Sequence, residues 1–179
     1  MNFKGLKAVH DFSASLDEHK IYGLIGTNGA GKTTIINMLS GVLKPSSGTI
    51  FFRGENITSL RPDKIARSGI LRTYQNLRLF KKVTALQNVV IGAQIHKAYH
   101  NYEAILGLPG FSAEEKQLEE KGMEMLRIMG IERFAQDQAG SLPYGAQRKL
   151  EIARILAADP KLLLLDEPLE LETIGVRSE

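Results

Sequence analysis

Residues 26–34 read "GTNGAGKTT", in which Gly26, Gly31, Lys32 and Thr33 fit the spacing G-x-x-x-x-G-K-[ST]. Small residues at this spacing let backbone N–H groups curl around a polyphosphate. A helix that starts at the lysine adds further donors and a favourable dipole. Lys32 is placed to reach the outer phosphates and Thr33 to offer its hydroxyl to Mg2+, with Asn28, Gly29, Ala30, Gly31 and Thr34 completing the cradle. Charge-assisted bonds contribute about 1.5–3 kcal/mol each, so several together hold a nucleotide. The plainer reading of the same residues is a glycine-rich turn that caps a helix. A second centre lies at 162–168, "LLLLDEP". There an apolar strand delivers Asp166 to hold Mg2+ through water and Glu167 to polarise an attacking water, a general-base role of about 10²–10⁴-fold. Alone, this segment also reads as a strand that ends in a solvated acidic turn.

The elements that must position these residues follow from periodicity and punctuation. "KAVHDFSASLD" alternates, with Phe12, Ala14 and Leu16 on one face, and predicts a half-buried strand. "DEHK" is a turn, and "IYGLIG" predicts a buried strand running into the glycine-rich loop. "KTTIINMLSG" predicts a helix stopped by Gly41. "TIFFRG" and "ILRTYQ" predict strands, with a short helix opened by Pro62 between them. Thr84-x-x-Gln87 and Ser112-x-x-Glu115 are capping-box patterns that predict helix starts. An irregular connection containing Pro109 and Gly110 is expected between those two helices. A further helix is expected at about 145–158, and "KLLLLDEP" predicts a strand buried on both faces of a parallel sheet. Strands and crossovers, then helices, then a return to the sheet predict an α/β core with an inserted helical lobe.

Composition bounds the function without specifying it. The chain has 179 residues, 43% of them hydrophobic and 24% charged, as in an ordinary globular protein. A net charge of +3 permits anionic ligands without the concentrated basic stripe that nucleic acid requires, so no nucleic-acid partner is expected. With no cysteine, disulfides and thiolate metal sites are excluded. The longest apolar run falls far short of the roughly 20 residues that span a bilayer. His96 and His100 have the spacing of helical metal ligands, but without a third ligand a solvated amphipathic helix is the reading preferred.

"GTNGAGKTT", "RTYQNLRLF", "SLPYGAQRKLEIAR" and "LLLLDEP" together resemble the ATP-binding subunits of ABC transporters. "LPYGAQRKLEIAR", "RTYQNLRLFKKVTALQNV" and the helical insertion resemble the bacterial branched-chain amino-acid importer type. The resemblance covers residues 1–168 and implies a P-loop NTPase (RecA-like) ABC ATPase core with an inserted helical subdomain. It divides the chain into 1–76 (core with the phosphate loop), 77–150 (helical subdomain with the signature loop) and 151–179 (return to the core and an atypical tail). Gln75 is similar to the family glutamine that senses Mg2+ and water. Gly145 and Gln147 lie in "LPYGAQ", similar to the signature loop that contacts the γ-phosphate bound by a second subunit. Pro143 stands where many relatives have serine. Phe3 is a candidate for stacking on adenine, with core packing as the alternative.

The implied cofactors are ATP and Mg2+. The implied partners are membrane permease subunits, a second ATP-binding subunit in a sandwich dimer and, indirectly, a periplasmic amino-acid-binding protein. "NLRLFKKVTAL", including Lys81 and Lys82, is the candidate permease interface, which places the protein peripherally on the cytoplasmic side of the inner membrane. A nucleotide-binding fragment that does not hydrolyse, and a soluble ABC-type ATPase outside transport, are the alternatives. The closing "LELETIGVRSE" lacks the family patterns that follow the Asp–Glu pair. The C-terminal part of the core is therefore expected to be missing, leaving a strand slot beside "IYGLIG" unfilled and unpaired groups costing about 1–3 kcal/mol each. The 179-residue form is accordingly expected to be a truncated or frame-shifted product, marginally stable and weak as an ATPase.

Overall fold

The structure is a computed structural model, and it describes residues 2–3, 6–73, 77–96 and 109–166. It contains two compact units, Met1–Ile70 and Leu71–Glu179. In the first, strands β1 (Asn2–Phe3) and β2 (Leu6–Lys7) pair antiparallel. Helix α1 (Lys32–Leu39) follows the glycine-rich loop and ends at Ser40 and Gly41, with Gly41 left-handed at φ 73°. A Cβ there would lie 2.7 Å from Ile65 Cδ1. Glycine thus allows α1 to end against α2 (Pro62–Ser68), whose Pro62 sits in the first turn, where a missing N–H does no harm. Between the helices, β3 (Phe51–Phe52) and β4 (Glu55–Asn56) form an antiparallel hairpin. Its two turn residues, Arg53 and Gly54, both have positive φ (50° and 85°), the turn that matches strand twist.

Two strand expectations in this unit are corrected. Residues 8–17 and 21–26 adopt no strand. Phe12 and Leu16 are about half exposed, and Ile21 and Ile25 are almost wholly so, at 102% and 95%. Apolar residues favour an extended chain, but a strand exists only when a neighbour accepts its N–H and C=O groups. No strand among the described residues pairs with either segment. The expected turn between them does form. Asp17 accepts from Lys20 Nζ at 2.7 Å, and the Asp17 N–H donates to the Tyr22 hydroxyl at 2.9 Å.

The second unit holds the main apolar core. Helices α3 (Ala85–Ala93), α4 (Pro109–Ile128) and α5 (Tyr144–Leu156) pack around Ala85, Val89, Leu126, Leu150 and Ala153, all fully buried. The α3 capping box forms as expected: Thr84 Oγ1 accepts from the Gln87 N–H, and Gln87 Oε1 accepts from the Thr84 N–H. The Ser112 cap does not, because α4 already begins at Pro109, so Ser112, Pro109 and Gly110 all lie within the helix. Glycines set the helix approaches. A Cβ at Gly92 would lie 2.3 Å from the Arg154 carbonyl oxygen on α5, and one at Gly122 would lie 2.8 Å from Leu86 Cδ1 on α3. His96 ends the short 3-10 turn Gln94–His96, and His100 lies outside the described residues.

Strand β5 (Ile70–Arg72) pairs with β6 (Leu162–Leu164). Leu164 is buried, but Leu162 and Leu163 are only partly so and Leu165 is 39% exposed. The expected burial of this strand on both faces is therefore corrected to burial in part.

Candidate functional site

In the first unit the loop 26–31 leads directly into α1. Gly29 (φ 83°) and Gly31 (φ 88°) take left-handed backbone, and a Cβ on Gly31 would lie 2.4 Å from the Ala8 carbonyl oxygen. The Ala30 N–H closes the turn on the Thr27 carbonyl at 3.2 Å. Lys32 folds back over the loop, donating to the Gly26 carbonyl at 2.7 Å and the Thr27 carbonyl at 2.8 Å. Gly31 stands at the α1 N-cap, so no side chain caps this helix and its first N–H groups remain donors. Thr33 is exposed in the first turn beside Thr34, and a Cβ on Gly29 would meet nothing within 4 Å. The loop is therefore an open, donor-rich cradle with one ammonium, suited to a polyphosphate.

In the second unit Asp166 follows β6 and is buried, its side chain 5% exposed. Arg72 on β5, 8% exposed, donates from Nη2 to Asp166 Oδ2 at 3.2 Å. The Asp166 N–H donates to Thr73 Oγ1 at 3.3 Å, and the Thr73 N–H to the Leu164 carbonyl at 3.0 Å. The sequence reading passed over Arg72 and Thr73, although a charged residue inside "ILRTYQ" asks for an opposite charge on the next strand. Gln75 and Glu167 lie outside the described residues, as does the side chain of Phe3.

The loop 142–147 opens α5. Pro143 stands at the N-cap and offers no side-chain acceptor to the helix. Gly145 is exposed, and a Cβ there would meet nothing within 4 Å. Gln147 turns inward, donating from Nε2 to the Leu142 carbonyl at 2.8 Å, and so braces the loop. Upstream, the Gly140 N–H donates to the Lys81 carbonyl and the Ala139 N–H to the Val83 carbonyl, both at 3.0 Å. Asn88, wholly buried, bonds Phe80 through both N–H and carbonyl and also bonds the Thr84 carbonyl. The segment 80–84 and the approach to 142–147 are thus one hydrogen-bonded structure.

No group of three or more His, Cys, Asp or Glu among the described residues can hold a metal ion. No helix among the described residues is long and apolar enough to cross a membrane.

The profile of the ABC transporter family matches residues 9–170. The chain is 40% identical to the high-affinity branched-chain amino acid transport ATP-binding protein BraF of Pseudomonas aeruginosa, and 38% identical to its LivG counterpart of Escherichia coli. Each alignment covers 94% of this chain and 66% of the relative. A solved ATP-binding cassette of an ABC transporter superposes with a TM-score of 0.75 at 30% identity, covering 94% of this chain and 66% of that one. A cassette solved in its ADP conformation superposes with a TM-score of 0.63 at 32% identity, over 81% of this chain and 56% of that one. The chain thus spans about two thirds of the length of these curated relatives. With the P-loop NTPase fold of those cassettes, it belongs to the ATP-binding family of ABC transporters.

Proposed function

We propose that this chain is an ATP-binding and ATP-hydrolysing subunit that energises import of branched-chain amino acids by an ABC transporter. The observation that carries the reading is the glycine-built loop 26–31, with Lys32 bonded to its carbonyls and an uncapped helix behind it. The named relatives, both branched-chain amino acid transport ATP-binding proteins, support the solute. In this reading Lys32 exchanges the Gly26 and Thr27 carbonyls for phosphate oxygens, and the first N–H groups of α1 donate beside it. Thr33, Gln75 and Asp166 would hold Mg2+, which would neutralise phosphate charge when bound. Glu167 takes the proton of the attacking water. Phe3 stacks on the adenine.

Two subunits work as a sandwich, each presenting Gly145 and Gln147 to nucleotide held by the other. Membrane permease subunits dock on the segment 76–86, "NLRLFKKVTAL", so the protein works peripherally on the cytoplasmic face of the inner membrane. A periplasmic amino-acid-binding protein acts indirectly through the permease. The chain division 1–76, 77–150 and 151–179 into core, helical subdomain and return to the core belongs to the same proposal. Phosphate release by the chain assembled with its permease subunits in vesicles tests the reading. Glu167→Gln is expected to slow release by about 10²–10⁴-fold. Equal release by parent and variant would remove Glu167 from the chemistry.

A further inference from the structure

We propose that Arg72 is a positioning residue that fixes the side chain of Asp166 and aims it for Mg2+. The proposal rests on the reading of Asp166 as a metal ligand. Arg72 and Asp166 are 94 positions apart in sequence, yet both side chains are more than nine-tenths buried and meet at 3.2 Å. The planar guanidinium is a rigid fork of donors matched to a carboxylate, so it fixes the orientation of its partner as well as contacting it.

The surroundings are arranged for orientation as well as charge. Arg72 Nε donates to the Thr73 carbonyl at 3.3 Å, which fixes the plane of the guanidinium. The contact to Asp166 engages Oδ2, and the Asp166 N–H is tied separately to Thr73 Oγ1. Consecutive residues of β5 and its continuation thus pin the side chain and the backbone of Asp166. Groups that orient a metal ligand in this way typically change metal affinity by about 10–100-fold when removed.

The test is equilibrium binding of a fluorescent ATP analogue to the full chain, in EDTA and across a MgCl2 titration. Arg72→Met is expected to raise the Mg2+ concentration for half-maximal enhancement of binding by about 10–100-fold. Affinity in EDTA should be retained, since the loop of Lys32 carries it, and Arg72→Lys should restore part of the Mg2+ response. An unchanged Mg2+ midpoint in Arg72→Met, alongside a shifted one in Asp166→Asn, would overturn the positioning role alone. No shift in Asp166→Asn would overturn the reading of Asp166 beneath it. Should Arg72→Met fold poorly, thermal melts of Arg72→Met, Asp166→Asn and the double variant decide the matter. A double variant that melts above Arg72→Met supports the pair, because the stranded charge has been removed. Additive losses would overturn it.

Discussion

Glu151 lies in α5 at 1% exposure, with Oε2 3.4 Å from Arg148 Nη1 and Oε1 without a hydrogen-bond partner among the described residues. Arg148 also reaches the Tyr144 hydroxyl at 3.1 Å, and Arg154 lies over the Phe80 ring. Burial lowers the pKa of Arg154 from its ordinary value, and the nearby charge of Glu151 raises it again. A base whose folded value is depressed is penalised while charged. Its penalty is relieved only as pH rises through the alkaline range where arginine titrates, so Arg154 adds no pH dependence across neutral pH. Removing the acid is a different matter. Glu151→Ala removes the carboxylate that faces Arg148 and is expected to lower stability by about 3 kcal/mol in urea unfolding, the low end for a broken buried pair. The low end applies because Arg148 remains 26% exposed. A loss below about 1 kcal/mol would show that the pair is solvated like a surface bridge. The pattern Arg148-x-x-Glu151-x-x-Arg154 is visible in the sequence, but its burial is not. Nothing in "RKLEIAR" says that this face of the helix turns inward.

At the scale of elements, α3 illustrates what sequence can specify. Its capping box is a local device, so Thr84 and Gln87 announce it and the structure builds it. Its packing is not local. Gly92 carries no sign in the sequence that a neighbouring helix passes over it, yet a Cβ there would lie 2.3 Å from the Arg154 carbonyl. Gly92→Ala gains about 1 kcal/mol of helix propensity and forces α3 and α5 apart, an overpacking that costs about 1–3 kcal/mol. Because the clash is with backbone, the upper end is expected to win, and the variant should unfold at lower urea with an unchanged slope. An equal or higher midpoint would mean that the helices part freely.

The strands expected at 8–17 and 21–26 do not form, for a related reason. "IYGLIG" has the composition of a buried strand, but a strand is a property of a pair, and its composition does not name a partner. "ILRTYQ" and "LLLLDEP" do find one another, and β5 and β6 result. Of the candidate site, the loop 26–34 and Asp166 were legible because their chemistry is written in residue types at fixed spacing. Arg72 was not, because its role appears only once β5 and β6 lie side by side.

Across the whole molecule, order is unevenly distributed. The extended apolar cluster lies in Leu71–Glu179, whereas residues 10–30 are exposed throughout. Hydrogen exchange should therefore divide the chain. Amides of 10–25, which join no helix or strand ladder, are expected to exchange within seconds. Those of Val89, Leu126 and Leu150 should open only with global unfolding, and strong protection of residues 10–25 would contradict the fold described.

The central claim concerns the loop between these extremes, and ATP binding to Lys32→Ala measured by titration calorimetry tests it most directly. Lys32 is half-exposed and among the described residues bonds only its own loop carbonyls, so its removal should leave the melting temperature nearly unchanged. Loss of one charge-assisted phosphate contact, about 1.5–3 kcal/mol, predicts ATP affinity weaker by roughly ten- to a hundredfold. An ATP affinity equal to that of the parent would show that loop 26–34 is a glycine-rich helix cap and not a phosphate cradle.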